Sequence, residues 1–186
     1  MDLTQAIYSR RSAREFTAES VDEATIRRLI DFAIQAPSAV NEQPWSFAVV
    51  RDKDLMRRIS NEAKVHILAA PPLGVSSKHF QDLLRDPNFN IFYGAPALIV
   101  ISSANPGHWA AENCALAAQN LMLAAFAAGL GSCWIGFAQS FLKTPAGKDL
   151  LGLPASWIPA APIIVGHPKS APPPVARKEP VMRWVG

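Results

Sequence analysis

The chain has 186 residues, 49% of them apolar, and a formal net charge of +3. That length and composition suit one domain with a sizeable core and exclude a disordered class. The basic residues are scattered apart from Arg10 to Arg14 and Arg57-Arg58, so no stripe exists that would follow a nucleic-acid backbone.

Two cysteines, Cys114 and Cys133, make no disulfide framework, and the start of the chain lacks a signal-peptide pattern. A reducing cytoplasm is therefore the expected setting. The longest apolar run, Ala115 to Leu130, is interrupted by Gln119 and Asn120 and is shorter than the ~20 residues that cross a bilayer. It reads as a buried helix rather than a membrane span.

Asp2 to Ser9 predicts a short helix with Leu3, Ala6 and Ile7 on one face. At its exit stand Arg10, Arg11 and Arg14, with the hydroxyl of Ser12 among them. A guanidinium offers a planar fork of donors that matches a phosphate, and a serine adds a neutral donor, so the cluster is fitted to an anion. Taken alone, the stretch reads more simply as a solvated basic patch. Ser20 and Glu23 have capping-box spacing, and Ile26, Leu29, Ile30, Ala33 and Ile34 recur at helical intervals. A second helix is expected from about Val21 to Gln35, ended by Pro37.

Pro37 to Trp45 is a proline-bounded loop that holds Ser38, Asn41 and Gln43 in a constrained backbone. Phe47 to Val50 predicts a strand and Asp54 to Leu68 a helix, ended by the Pro71-Pro72-Leu73-Gly74 break. Ser77 to Arg85 predicts a short helix before a turn at Pro87-Asn88. Ala97 to Ile101 reads as a buried strand by its unbroken, β-branched apolarity. His108 to Ala128 predicts a long alanine-rich helix closed by Gly129 and Gly131. Its apolar residues nearly encircle it, so a partner subunit is expected to cover the face that the core leaves bare. Ser132 to Ile135 is read as a strand, Ser140 to Leu150 as a helix and Ala161 to Val165 as the last core strand. The proline-rich tail is extended and carries Arg177 and Lys178 over the surface.

Gly129, Gly131 and Gly136 do not make a dinucleotide fingerprint, which needs glycine where Trp134 stands, and neither a P-loop nor a nucleophile elbow occurs. His66, His79, His108 and His167 lack metal-ligand spacing. Cys133 has no evident base and reads as a packed side chain, and the tryptophans read as core. A phosphate held here must be held by side-chain cations rather than by a glycine loop.

Four motifs stand in order: Arg10-Arg11-Ser12-Ala13-Arg14-Glu15-Phe16; Ala36-Pro37-Ser38-Ala39-Val40-Asn41-Glu42-Gln43-Pro44-Trp45; Gly129-Leu130-Gly131-Ser132-Cys133-Trp134-Ile135-Gly136; and Gly166-His167-Pro168 followed by Arg177-Lys178. As a set they resemble the FMN-dependent nitroreductase family over nearly the whole chain. The resemblance implies a single α+β domain spanning residues 1–186. Its central sheet would be mixed, mostly antiparallel and wrapped by helices, with a long buried helix at the interface of an obligate homodimer carrying two FMN sites. Arg10 and Ser12 would hold the FMN phosphate and ribityl chain, with Arg11 beside them and Arg177 closing on the phosphate. Arg14 would reach the pyrimidine edge of the isoalloxazine.

By the same resemblance, Pro37, Ser38, Ala39 and Asn41 lie against the flavin of the neighbouring subunit. The backbone of Ile135 and Gly136 faces flavin N5, and Asn88 or Asn90 supplies a polar contact from the middle of the chain. The implied activity is a ping-pong oxidoreductase: NADH or NADPH reduces FMN and leaves, then a small acceptor such as a nitroaromatic or quinone takes the electrons. Dehalogenation, enone reduction, flavin breakdown and flavin binding without turnover are alternatives on the same fold. No catalytic side chain is named, because the cofactor performs the electron transfer and the protein binds, orients and supplies the electrostatics.

Overall fold

Helix α1, Leu3–Ser9, begins where the Asp2 carboxylate accepts the Gln5 N–H at 2.7 Å. This and the following elements are taken from a computed structural model that describes residues 2–71 and 77–186. In chain order come α2 (Glu23–Ala33), a 3-10 turn (Ala39–Asn41), β1 (Trp45–Val50), α3 (Lys53–Ala69), α4 (Lys78–Arg85), β2 (Ala97–Ser103) and α5 (Ala110–Ala127). β3 (Gly131–Trp134), α6 (Gly136–Leu142), α7 (Pro145–Leu150) and β4 (Ile158–Gly166) complete the set.

The sheet runs β1-β2-β4-β3 with every strand pair antiparallel. Among the described residues the parallel component of the expected mixed sheet is a single bridge, Ser12 with Ser132 at the outer edge of β3. Period-two alternation divides the strands between two cores. Leu98, Val100 and Ile164 point into one with α3, α4 and α6, while Ile99, Ile101, Ile163 and Val165 point into the other with α2 and α5. Both faces of β2 and β4 are therefore covered, which is why these strands read as unbroken apolar runs.

Most bounds shift by one to three residues from the sequence expectation, and two elements depart for a clear reason. Helix α2 is capped by Asp22, whose two carboxylate oxygens accept the Thr25 N–H and Oγ1–H at 2.8 Å each, and not by Ser20. A carboxylate three residues before Thr25 outcompetes the hydroxyl two positions upstream, so the helix opens at Glu23 and closes at Ala33. The helix expected over Ser140 to Leu150 is two, α6 and α7. Pro145 cannot donate to the preceding turn, and Thr144 caps the new helix through the Gly147 N–H at 3.1 Å. Of the break at Pro71 to Gly74, residues 72–74 lie outside the described residues.

Helix α5 buries Asn113, Cys114, Ala117, Ala118, Leu121, Met122 and Ala125 and exposes Ala111, Ala115, Leu116 and Gln119 on the opposite stripe. Beside it, α1, α2 and α5 enclose an apolar groove of about 600 Å³, walled by Leu3, Phe32 and Leu123. Among the described residues no helix is long and apolar enough to cross a membrane.

Candidate functional site

The segment leaving α1 is laced to the sheet edge at both ends. The Ala13 N–H donates to Ser132 O at 3.0 Å, the Thr17 N–H to His167 O at 2.9 Å, and the Lys169 N–H to Glu15 O at 3.1 Å. Ala13 and Phe16 are buried inward, so Arg14 between them is turned outward. Gly131 and Gly166 are glycines because of this seam. A Cβ on Gly131 would meet Ala13 Cβ at 2.6 Å, and one on Gly166 would meet Phe16 Cδ1 at 2.8 Å and Pro96 Cδ at 2.5 Å.

Two groups of cations and polar atoms gather along the seam. In the first, the half-buried Arg10 guanidinium is held below its ordinary pKa by burial, then by the positive charges of Arg11 and Arg177, with Cys133 acting in the opposite sense. Arg11 Nη1 donates to Tyr8 O at 2.7 Å and Arg10 O at 2.8 Å at the C-terminal end of α1, while its buried Nε has no partner. The tail thus brings Arg177 back to the α1 exit, and among the described residues no carboxylate pairs with any of the three arginines. Repelling charges held together without an anion form a site that an anion would relieve.

The second group lines a cavity of about 780 Å³ between α3, α4, the strand β3 and α6. Arg14, Ile135 and Gly136 stand in its wall with Tyr93, Cys133, Phe137, Gln139, Ser140 and Lys143. Burial raises the Tyr93 phenol above its ordinary value, and the nearby Arg14 opposes this. The Ile135 N–H is spent on Pro162 O at 2.8 Å. Gly136 opens α6, where a backbone N–H has no intrahelical acceptor, and a Cβ added to it would meet nothing within 4 Å. Of the two residues expected to present backbone to a ligand, Gly136 is the one with a free donor and open space.

Asn88 and Asn90 do not line this cavity. Asn90 Oδ1 accepts the Phe92 N–H at 2.8 Å, and Asn88 is exposed at the turn. The residue that the middle section delivers is Tyr93, held at φ 53°, a left-handed backbone uncommon outside glycine. Its loop is anchored from α3. The buried Lys64 Nζ donates to Asp86 O at 3.0 Å and Phe89 O at 2.7 Å, and Ser60 Oγ accepts the Ile91 N–H at 3.1 Å.

Pro37, Ser38, Ala39 and Asn41 lie apart from both groups. Their loop is strained, with Val40, Asn41 and Gln43 at φ 47°, 56° and 50°, and it is pinned to α5. Asn113 Oδ1 accepts the Ala39 N–H at 2.9 Å, and Asn113 O accepts from Trp45 Nε1 at 2.8 Å. Within the loop, Ser38 Oγ accepts the Gln43 N–H at 2.9 Å. Within one chain none of these four residues lines the cavity.

The protein thus sets an arginine cluster and a largely apolar cavity along one edge of an antiparallel sheet held between helical layers. The Nitroreductase family's sequence model matches residues 7–167, and the chain belongs to the nitroreductase family. It is 32% identical over 177 residues to a protein of Methanothermobacter thermautotrophicus with a provisional NADH dehydrogenase/NAD(P)H nitroreductase name, covering 92% of this chain and 80% of that one. It is 28% identical over 172 residues to the 5,6-dimethylbenzimidazole synthase of Rhodospirillum rubrum, covering 86% and 79%. Among solved structures, a nitroreductase of Desulfitobacterium hafniense DCB-2 with bound FMN superposes at TM-score 0.82 with 26% identity, covering 98% of this chain and 97% of that one.

Proposed function

We propose that the chain is an FMN-dependent oxidoreductase that takes hydride from NADH or NADPH and passes the electrons, by ping-pong, to small acceptors such as nitroaromatics or quinones. The observation that carries this reading is the cluster of Arg10, Arg11 and Arg177, which pairs with no carboxylate among the described residues and adjoins, through Cys133, a cavity walled by Arg14 and Gly136. Bound there, FMN supplies the hydride and electron chemistry. Arg10, Ser12 and Arg177 hold its phosphate and ribityl end, with Arg11 beside them and fixed by the carbonyls of α1. Arg14, braced by Tyr93, offers a cation to the pyrimidine edge, where it stabilises negative charge without having to reorganise. Gly136 would offer its free backbone N–H to the flavin ring, and its missing side chain would leave the ring room to approach.

The site is completed by a second copy of the chain. The exposed stripe of α5 and the groove against α1 and α2 form the homodimer interface. Pro37, Ser38, Ala39 and Asn41 of each copy reach the partner's flavin, which accounts for their distance from the cavity of their own chain. Other redox reactions use the same parts, as the likeness to a 5,6-dimethylbenzimidazole synthase illustrates.

The purified protein is expected to be yellow and to release FMN on denaturation, and anaerobic NADH or NADPH should bleach it. A colourless protein that takes up no added FMN would overturn the proposal. A yellow protein that neither nucleotide bleaches would be a flavin-binding dimer without turnover. Nitro, quinone, enone and halogenated acceptors presented to the reduced protein separate the reactions.

A further inference from the structure

The cavity wall carries two cations and no acid. Arg14 and Lys143 line it, with no aspartate or glutamate among the lining residues. Arg14 is engaged with Tyr93 at the end next to β3. Lys143, which follows the last residue of α6, makes no ion pair and no hydrogen bond among the described residues. Its neighbours in the wall, Gln139 and Ser140, are neutral donors and acceptors one turn back on the same helix. The facing wall is apolar, Ile67 from α3 with Phe80 and Leu83 from α4, and Phe137 of α6 reaches it, its ring meeting Phe80 edge-on at 6.0 Å between centroids.

We propose that this cavity selects acceptors that are planar aromatics bearing an anionic substituent, a carboxylate or phenolate, and that Lys143 is the specificity-determining residue that receives the charge. Resting on the flavin reading above, the proposal assigns the two cations different tasks. Arg14 serves the cofactor, while Lys143 stands outside the cofactor cradle, at the polar end of a hydrophobic slot. Such a slot takes an aromatic ring against the paired rings of Phe80 and Phe137 by edge and face contacts, and a single uncompensated ammonium at its end discriminates by sign of charge. A neutral ring of the same shape gains the apolar contacts but not the charge-assisted hydrogen bond.

The test uses the protein loaded with FMN, with flavin uptake measured first. Benzoate and benzamide are then titrated against the oxidised holoprotein, following the perturbation of the flavin absorbance, and 4-nitrobenzoate and 4-nitrobenzamide are compared in turnover. For a partly solvated ammonium the preference for the anion is expected to be about five- to tenfold in Kd and in kcat/KM. Lys143→Met should collapse that ratio, Lys143→Arg should keep it, Lys143→Glu should turn it toward benzylamine, and added salt should weaken benzoate alone. A wild-type protein without the preference, or a preference that survives Lys143→Met, overturns the proposal while leaving the flavin reading intact. It is also overturned if Lys143→Met weakens NADPH relative to NADH with the benzoate preference unchanged, which would give the charge to the dinucleotide phosphate. A protein that takes up no FMN fails at the first measurement and removes both.

Discussion

Replacing Gly131 by alanine places a methyl group in the seam between β3 and the segment after α1. The new Cβ would stand 2.6 Å from Ala13 Cβ and 3.3 Å from Phe16 Cε1 and Pro168 Cβ. Carbon atoms rest at about 3.5–4.0 Å, so the segment must retreat by roughly 1 Å. Overpacking of this kind costs ~1–3 kcal/mol, and stretching the 3.0 Å bond from the Ala13 N–H to Ser132 O removes part of a further ~1 kcal/mol. A loss of ~2–3 kcal/mol lowers the melting temperature of a chain this long by roughly 5–10 °C. Because Ser12 and Arg14 ride on the displaced backbone, FMN affinity should fall about tenfold in the same variant. Thermal unfolding by circular dichroism reads the first effect, and quenching of flavin fluorescence on titration reads the second. Adding Ala13→Gly removes the nearest clashing atom, so the double variant should melt above Gly131→Ala alone. An unchanged melting temperature in Gly131→Ala, or a double variant that melts lower still, would refute the close packing inferred for this seam.

Arg14→Ala should weaken FMN binding by about tenfold or more, the worth of a hydrogen bond to a charged group, and slow its reduction by NAD(P)H. Lys64→Met leaves the carbonyls of Asp86 and Phe89 without their donor, and should cost ~1–3 kcal/mol in chemical denaturation. In Tyr8→Phe the only remaining tyrosine is Tyr93. Its phenol should titrate above the ordinary value of 10 by absorbance, since burial raises it. A raised folded pKa favours the neutral form, so this contribution to stability is full below the unfolded value and is lost as pH climbs through the folded one. Burial also pushes the Cys114 thiol up to about 12, and iodoacetamide at pH 8 should leave it unmodified in the native protein.

The parts of the fold legible in the sequence are those that rest on local chemistry. The alternation of apolar residues along the helices, the β-branched run at Ala97 to Ile101 and the turn signals at Gly129 and Pro37 each act over a few residues. Most elements accordingly fell near their predicted places. The helix over Ser140 to Leu150 failed on a local rule passed over, the proline at 145 behind a capping threonine. Tyr93 failed for a different reason. Nothing in its neighbourhood marks it, because its position depends on Lys64 and Ser60 reaching across from α3, a contact made only after folding. Gly131 was read as a helix-end glycine, whereas its conformation is ordinary and its necessity lies in Ala13. The arginine cluster was visible as a run, but its third member, Arg177, joins it only because the tail turns back.

The lacing of residues 12–17 onto β3 and the end of β4 also sets when the site can exist. These residues leave the ribosome well before their hydrogen-bonding partners, Ser132 and His167. Contacts between segments this far apart in sequence carry a large loop-closure cost, and they form after the local helices and hairpins. Until they form, the outer edge of β3 is bare, an open strand edge of the kind that recruits other chains. Capture of FMN would then follow completion of the whole sheet, and the colour of the protein would report on the integrity of its most vulnerable edge. A chain truncated before β4 should be colourless and prone to aggregate, however well its helices have formed.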